Sequence, residues 1–238
     1  ILSSLVGSEM CIRDRDYSQI ELRLMAHYSK DQIMLDSFKN NEDIHKRTAS
    51  EVFSVEMENV TDEMRRRAKT INFGLLYGMS AFGLSNQLSV SRAEAEEFLL
   101  NYFTKYSSIK VFMKDIVEQA KKDKYVSTLY GRKIHVPNIE SPNYMLRQAS
   151  ERAAVNGPLQ GSAADIIKRA MINIFKESGG NEKDVKMILQ VHDELVFEVP
   201  EDYDEKNISY LIDLMEESSS IDVPLKVCLL YTSDAADD

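Results

Sequence analysis

The chain has 238 residues, 43% of them hydrophobic and 29% charged, with a formal net charge of -10. This is ordinary composition for a soluble globular protein with a genuine core, and the acidic balance argues against a simple basic clamp on nucleic acid. No apolar run reaches the length of a membrane span and no leader opens the chain, so the expectation is a cytoplasmic protein without a membrane partner.

The two ends read differently from the middle. Leu5 to Arg15 is LVGSEMCIRDR and Cys228 to Asp238 is CLLYTSDAADD; neither carries a period that continues into its neighbour. ATG-TGT-ATA-AGA-GAC encodes Met10 to Asp14, and its reverse complement encodes Leu229 to Thr232 in another frame. One DNA element in both orientations resembles a translated sequencing adapter. The expectation is that residues 1–15 and 228–238 are non-native and add nothing to the fold. Both cysteines, Cys11 and Cys228, lie there, which excludes disulfides and cysteine zinc sites from the rest. Without the ends the balance is -7, which suits an enzyme that gathers carboxylates around metal ions and keeps its bases local.

Between the ends, helical patterns dominate. Gln19 to Tyr28 and Asp43 to Phe53 are amphipathic, the second with Asp43 as its cap. Thr61 opens a long helix with Asp62 and Glu63 in its first turn, and Ser91 with Glu94 forms a capping box before a helix to about Tyr106. VSTLYGRKIHV, from Val126 to Val136, reads as a short hairpin. A helix from Tyr144 should break at Gly157-Pro158 and restart to about Lys176. Val185 to Pro200 then has period two, as two strands about a His192-Asp193-Glu194 turn. A helix from Asp204 to Glu217 and a strand starting at Pro224 complete the reading. The class is α+β with a small antiparallel sheet.

Two acids stand out by position. Asp16 precedes a helix where a strand should end, and Asp193 sits at a hairpin tip. Carboxylates on adjacent strand ends can serve one site of hard divalent cations, the arrangement an in-line phosphoryl displacement uses. Arg65, Lys69, Phe73 and Tyr77 recur every four residues and share one helix face. Two cations followed by two rings suit a nucleoside triphosphate, with cations for phosphates and rings for base and sugar.

DYSQIELR, RRRAKTINFGLLYG and QVHDELVFEVP resemble, in order, the three signature motifs of A-family DNA polymerases. DIHKRTASEVF, TLYGRKIHVP and ERAAVNGPLQGSAADIIKRAM are similar to further segments of the bacterial polymerase I type. The resemblance spans essentially all of 16–227. It implies helix-rich fingers on a palm with a small antiparallel sheet, incomplete at both ends: 16–28 starts the palm, 29–140 forms the fingers and 141–227 the rest of the palm. It implies a monomer that acts on primer-template DNA and deoxynucleoside triphosphates with two Mg2+ ions. Asp16 and Asp193 would hold the metals with the Tyr17 carbonyl, supported by Glu194. Arg65, Lys69 and His45 would grip the triphosphate; Lys69 also belongs to the catalytic set. Gln19 would line the nucleotide pocket, Phe73 would stack near sugar and base, and Tyr77 would sit by the templating position. Glu21 would crowd the sugar 2′ position. Arg152, Asn156, Gln160 and His192 would contact primer and template.

Blander readings stand beside these. His45, followed by Lys46 and Arg47, reads on its own as a surface histidine; Gln160 could only start a helix, and Glu194 could only balance charge. A single-subunit RNA polymerase would share the palm carboxylates, but Glu21 leaves no room for a 2′-hydroxyl. The isolated chain could also be an inactive or DNA-binding-only remnant, since charged Cys11 to Arg15 is poor material for the strand expected before Asp16.

Overall fold

The computed structural model describes residues 10–177, 185–200 and 204–233. Nine α-helices occur among them: α1 (Ile20–Ser29), α2 (Gln32–Lys39), α3 (Ile44–Phe53), α4 (Asp62–Leu76), α5 (Ala81–Leu88), α6 (Arg92–Lys105), α7 (Ser107–Asp123), α8 (Tyr144–Glu177) and α9 (Glu205–Glu216). The strands are β1 (Met10–Tyr17), β2 (Tyr125–Ser127), β3 (Lys133–His135), β4 (Lys186–Val191), β5 (Glu194–Pro200) and β6 (Val227–Ser233). The class is α+β with a small antiparallel sheet, as the sequence implied. The chain divides into two compact units, Glu21–Ser162 and Ile1–Ile20 with Ala163–Asp238.

The second unit is built on an antiparallel sheet of order β4-β5-β1-β6. Within β5, all of Leu195 to Val199 is buried. A strand covered on both faces is apolar throughout rather than alternating, so the expected period of two does not describe its burial. Its one buried charge, Glu198, accepts from Lys186 Nζ at 3.0 Å, directly opposite on β4. Edge strand β4 shifts register between Met187 and Leu189, a bulge of the kind that blunts sheet edges. Tyr17 closes β1: its buried hydroxyl donates to the Met215 carbonyl at 2.7 Å and lies 3.1 Å from Ser218 Oγ. That bond pins the end of β1 to the end of α9.

The ends correct the sequence reading. Met10 to Arg15 and Cys228 to Ser233 were expected to add nothing to the fold, yet they form most of β1 and β6. β1 is an inner strand, paired from Met10↔Pro200 to Asp16↔Glu194 on one side and with β6 on the other. Sheet pairing uses main-chain N–H and C=O groups that every residue but proline carries. Neither segment contains proline or glycine, and a slot flanked by two partners outweighs weak intrinsic strand preference. β6 also begins at Val227 rather than Pro224. The remainder of both ends lies outside the described residues.

In the helical unit the expected caps are present. Asp43 accepts from His45 N and Lys46 N, Thr61 from Met64 N, and Ser91 with Glu94 makes a full capping box. The hairpin of β2 and β3 forms as read. The break at Gly157-Pro158 does not occur: α8 runs unbroken for 34 residues with Pro158 inside it. A Cβ on Gly157 would meet Ile134 Cδ1 and Val126 Cγ2 at 3.3 Å, and one on Gly161 would meet Thr128 Cγ2 at 2.6 Å. The two glycines, four residues apart on one face, therefore admit the hairpin against α8. Ser162 Oγ accepts from Leu129 N at 2.8 Å, and Arg132 donates to the Gly161 carbonyl at 2.8 Å. This packing offsets the hydrogen bond that Pro158 cannot make.

Because β1 lies between β5 and β6, deleting residues 1–15 should cost several kcal/mol, or about 10 °C or more in melting temperature. Paired thermal melts of the whole and shortened chains decide it; coincident curves would show that β1 carries none of the stability.

Candidate functional site

In the sheet unit the site is organised by the β4–β5 turn. His192 adopts a left-handed φ of 52° there, and Gln190 Nε2 donates to its carbonyl at 3.1 Å. The turn leaves Asp193 between the strands, and its carbonyl accepts from Tyr17 N at 3.3 Å. One residue back on β1, Asp16 stands directly opposite Glu194. Directly opposed residues on antiparallel strands share a sheet face with Cβ atoms about 5 Å apart. Asp16, Tyr17, Asp193 and Glu194 thus meet at one end of the sheet, the three acids half-buried and His192 exposed. Opposed like charges are unfavourable unless a proton or cation intervenes, and carboxylate and carbonyl oxygens are the donors that hard divalent ions take. Among the described residues no three His, Cys, Asp or Glu side chains form a complete metal cluster. Carboxylate and carbonyl oxygens of this kind are donors a hard divalent ion can take alongside water.

In the helical unit the cationic face lies on α4. Arg65 and Lys69 are exposed and Phe73 half-buried, and Tyr77 caps the helix with its N–H on the Phe73 carbonyl at 3.1 Å. Arg65 Nε donates to Asp43 Oδ2 at 2.6 Å. Burial works to raise the Asp43 pKa, but the Arg65 hydrogen bond and charge and the N–H groups of Lys46 and His45 outweigh it and hold the carboxyl below its usual range. The Tyr77 hydroxyl donates to Glu21 Oε2 at 2.9 Å, joining the end of α4 to the start of α1.

His45 is not a surface histidine. It is 2% exposed, its ring centroid 5.8 Å from that of Phe73. Burial pushes its pKa down to about 4; Asp43 opposes the shift, while Arg65 and Lys69 add to it. The imidazole is neutral at physiological pH and shares one electrostatic neighbourhood with both cations of α4.

Arg152, Asn156 and Gln160 follow at four-residue spacing along one side of α8. Gly78, at φ 66°, has Arg152 Cγ 2.7 Å from where a Cβ would stand, so neither the backbone nor the space admits another residue. Asn156 Oδ1 is buried with no hydrogen-bond partner among the described residues, a state folded proteins rarely leave without a ligand or water to meet it. Gln160 is exposed, and Gln19 is half-buried in a left-handed turn at φ 55°.

Two contributors escaped the sequence reading. Asp43 is both a cap and the carboxylate that holds Arg65; its pairing with a residue far along the chain leaves no local signal. Asn72 is fully buried on α4 beside Ala68, Ile71 and Leu75, and a lone amide on an otherwise apolar face is the sign that could have marked it.

The sequence profile of DNA polymerase family A matches residues 4–235. The DNA polymerase I of Pseudomonas aeruginosa is 49% identical over 215 residues, covering 89% of this chain and 23% of the relative. That of Bacillus subtilis is 45% identical over 212 residues, covering 89% of this chain and 24% of the relative. A solved structure of the POL domain of Pol1 from M. smegmatis, in complex with DNA primer-template and dNTP, has a TM-score of 0.87 and 44% identity. It covers 94% of this chain, which covers 40% of it. The chain spans about a quarter of the length of these curated relatives.

The low His45 pKa has a stability consequence of definite sign. Between an unfolded value near 6.5 and a folded value of about 4, the unfolded chain takes up a proton that the folded one refuses. Stability from this group is complete above about pH 6.5 and falls by up to about 3 kcal/mol as pH drops toward 4. Denaturant titrations at several pH values should show a shallower acid loss in His45→Asn than in the unsubstituted chain; equal slopes would place the ring in water.

Proposed function

The chain belongs to DNA polymerase family A, and from that premise we propose that it carries the nucleotidyl-transfer site of a template-directed DNA polymerase. The observation that carries this reading is the strand register that sets Asp16 opposite Glu194 and next to the Asp193 turn. Residues 16–28 and 141–227 act as palm and 29–140 as fingers. The reaction joins the primer 3′-oxygen to the α-phosphorus of a deoxynucleoside triphosphate and releases pyrophosphate. Asp16, Asp193 and the Tyr17 carbonyl, with Glu194 in support, would hold two Mg2+ ions, which when bound would supply charge neutralisation for the transfer.

The other residues bind and orient. Arg65 and Lys69 neutralise the triphosphate, Lys69 at the oxygens where charge builds as pyrophosphate departs. His45 adds a neutral N–H donor. Phe73 stacks against the sugar and base, Gln19 lines the pocket and Tyr77 stands beside the templating base. The Tyr77 hydrogen bond fixes the Glu21 carboxylate, which fills the space of a 2′-hydroxyl and selects deoxyribose over ribose. The buried acceptor of Asn156, with Arg152, Gln160 and His192, meets primer and template. The protein acts as a cytoplasmic monomer; among the described residues no helix is long and apolar enough to cross a membrane. Since the chain spans a quarter of its relatives, a second reading is that it binds primer-template DNA alone and that turnover needs the segments those relatives carry beyond the matched part.

Primer extension by this chain, and by a chimera carrying 16–227 in place of the matching segment of the Pseudomonas aeruginosa polymerase, separates the two. In the active form Asp16→Ala and Asp193→Ala should each lower incorporation at least about a thousandfold with primer-template affinity retained. Substantial turnover by either would remove the metal assignment.

Glu21→Ala should admit ribonucleotides, with discrimination falling by about two orders of magnitude or more. Single-nucleotide incorporation with matched ribo- and deoxyribonucleotides measures it, and an unchanged preference would remove Glu21 as the residue that excludes the 2′-hydroxyl.

A further inference from the structure

A buried polar chain runs beneath the cationic face of α4. His45, Thr48, Asn72 and Tyr106 are each 2% exposed or less. Asn72 Nδ2 lies 3.1 Å from His45 Nδ1; Thr48 Oγ1 lies 3.0 Å from Asn72 Nδ2 and 3.2 Å from its Oδ1. The Tyr106 hydroxyl is 3.3 Å from that same Oγ1. The function described above uses His45 and gives Asn72 no part.

Resting on the polymerase reading, we propose that Asn72 is a positioning residue: its amide N–H donates to His45 Nδ1 and holds the imidazole as the neutral Nε2–H tautomer, a hydrogen-bond donor for a nucleotide phosphate oxygen. A neutral imidazole has one donor and one acceptor nitrogen, so an Nδ1 that accepts leaves the proton on Nε2. The neighbouring bonds leave a donor for the ring. Thr48 Oγ1 donates to Asn72 Oδ1 and accepts from one hydrogen of Asn72 Nδ2, so the second hydrogen of that NH2 group serves His45 Nδ1. Tyr106, whose phenol burial keeps protonated, lies within hydrogen-bond reach of the same Oγ1, and a dry interior strengthens such a network. The charged groups acting on the ring are Asp43 on its own helix and Arg65 and Lys69 on α4. With two cations already there, a neutral donor reaches phosphate without adding a third buried charge, which desolvation would penalise. The ring also sits on Phe73, so fixing it fixes the aromatic stack.

The test is nitrogen-15 NMR of the His45 ring in this chain at pH 7, followed by titration with magnesium dATP. The expected spectrum has a protonated Nε2 and an unprotonated, hydrogen-bonded Nδ1. Asn72→Leu, similar in volume but with no donor, should give a mixture of tautomers, and Asn72→Asp should move the proton to Nδ1. Magnesium dATP should shift the Nε2–H signal, with an apparent Kd about tenfold weaker in Asn72→Leu. A proton on Nδ1 in the unsubstituted chain, a ring averaging its tautomers like free histidine, or a tautomer indifferent to both substitutions would overturn the inference. The expected tautomer with no response to nucleotide would instead overturn the polymerase reading, and with it the role given to Asn72.

Discussion

The register between β1 and β5 is the constraint on which the sheet unit depends. Side chains alternate across a strand, so a slip of one residue would send Asp16 to the other face of the sheet and leave Glu194 opposite a different partner. Three features hold the register against that slip. The inner position of β1 gives it two sets of main-chain bonds. The buried Tyr17 hydroxyl fixes its end through Met215 and Ser218. The tight β4–β5 turn, with His192 in the left-handed region, sets where Asp193 must fall. Opposed carboxylates are a local cost, and this surrounding structure keeps them in place.

The helical unit rests on a different balance. The Asp43–Arg65 pair is geometrically close, but its side chains are 35% and 44% exposed, and such a pair contributes at most about 1 kcal/mol. A phosphate can compete for that guanidinium at little cost. The buried contacts of His45, Thr48 and Asn72 are of another kind, because leaving one of their polar atoms unmet would cost about 1–3 kcal/mol. Helices α3 and α4 are therefore aligned by the dry network inside, while the charges outside remain available to a ligand.

What was legible in the sequence was what is encoded locally. Caps such as Asp43, Thr61 and Ser91 act within four residues, and the β2–β3 hairpin carries its own turn, so both could be read directly. The acids Asp16 and Asp193 and the α4 face could be singled out because their motifs are short and contiguous. What depends on distant partners was not. Gly157-Pro158 signals a break in isolation, and only the hairpin packed on Gly157 and Gly161 shows why the helix continues. Lys46 and Arg47 made His45 look like a surface residue, although they point along a helix whose other face is buried. β1 was misjudged for the same reason: its place comes from the two strands beside it and from the Tyr17 anchor at its end. Asn72 lies inside a motif that was recognised, yet its role appears only once α3 is seen against α4.

The central claim is that this register makes one divalent-metal site from residues that are far apart in sequence. Electron paramagnetic resonance of Mn2+ added to the chain with a deoxynucleoside triphosphate tests it directly, since free and bound ions are resolved without any need for turnover. The account predicts bound Mn2+ that is lost in Asp16→Asn and equally in Asp193→Asn, with the fold retained by circular dichroism. Bound ion that survives either substitution unchanged would contradict it.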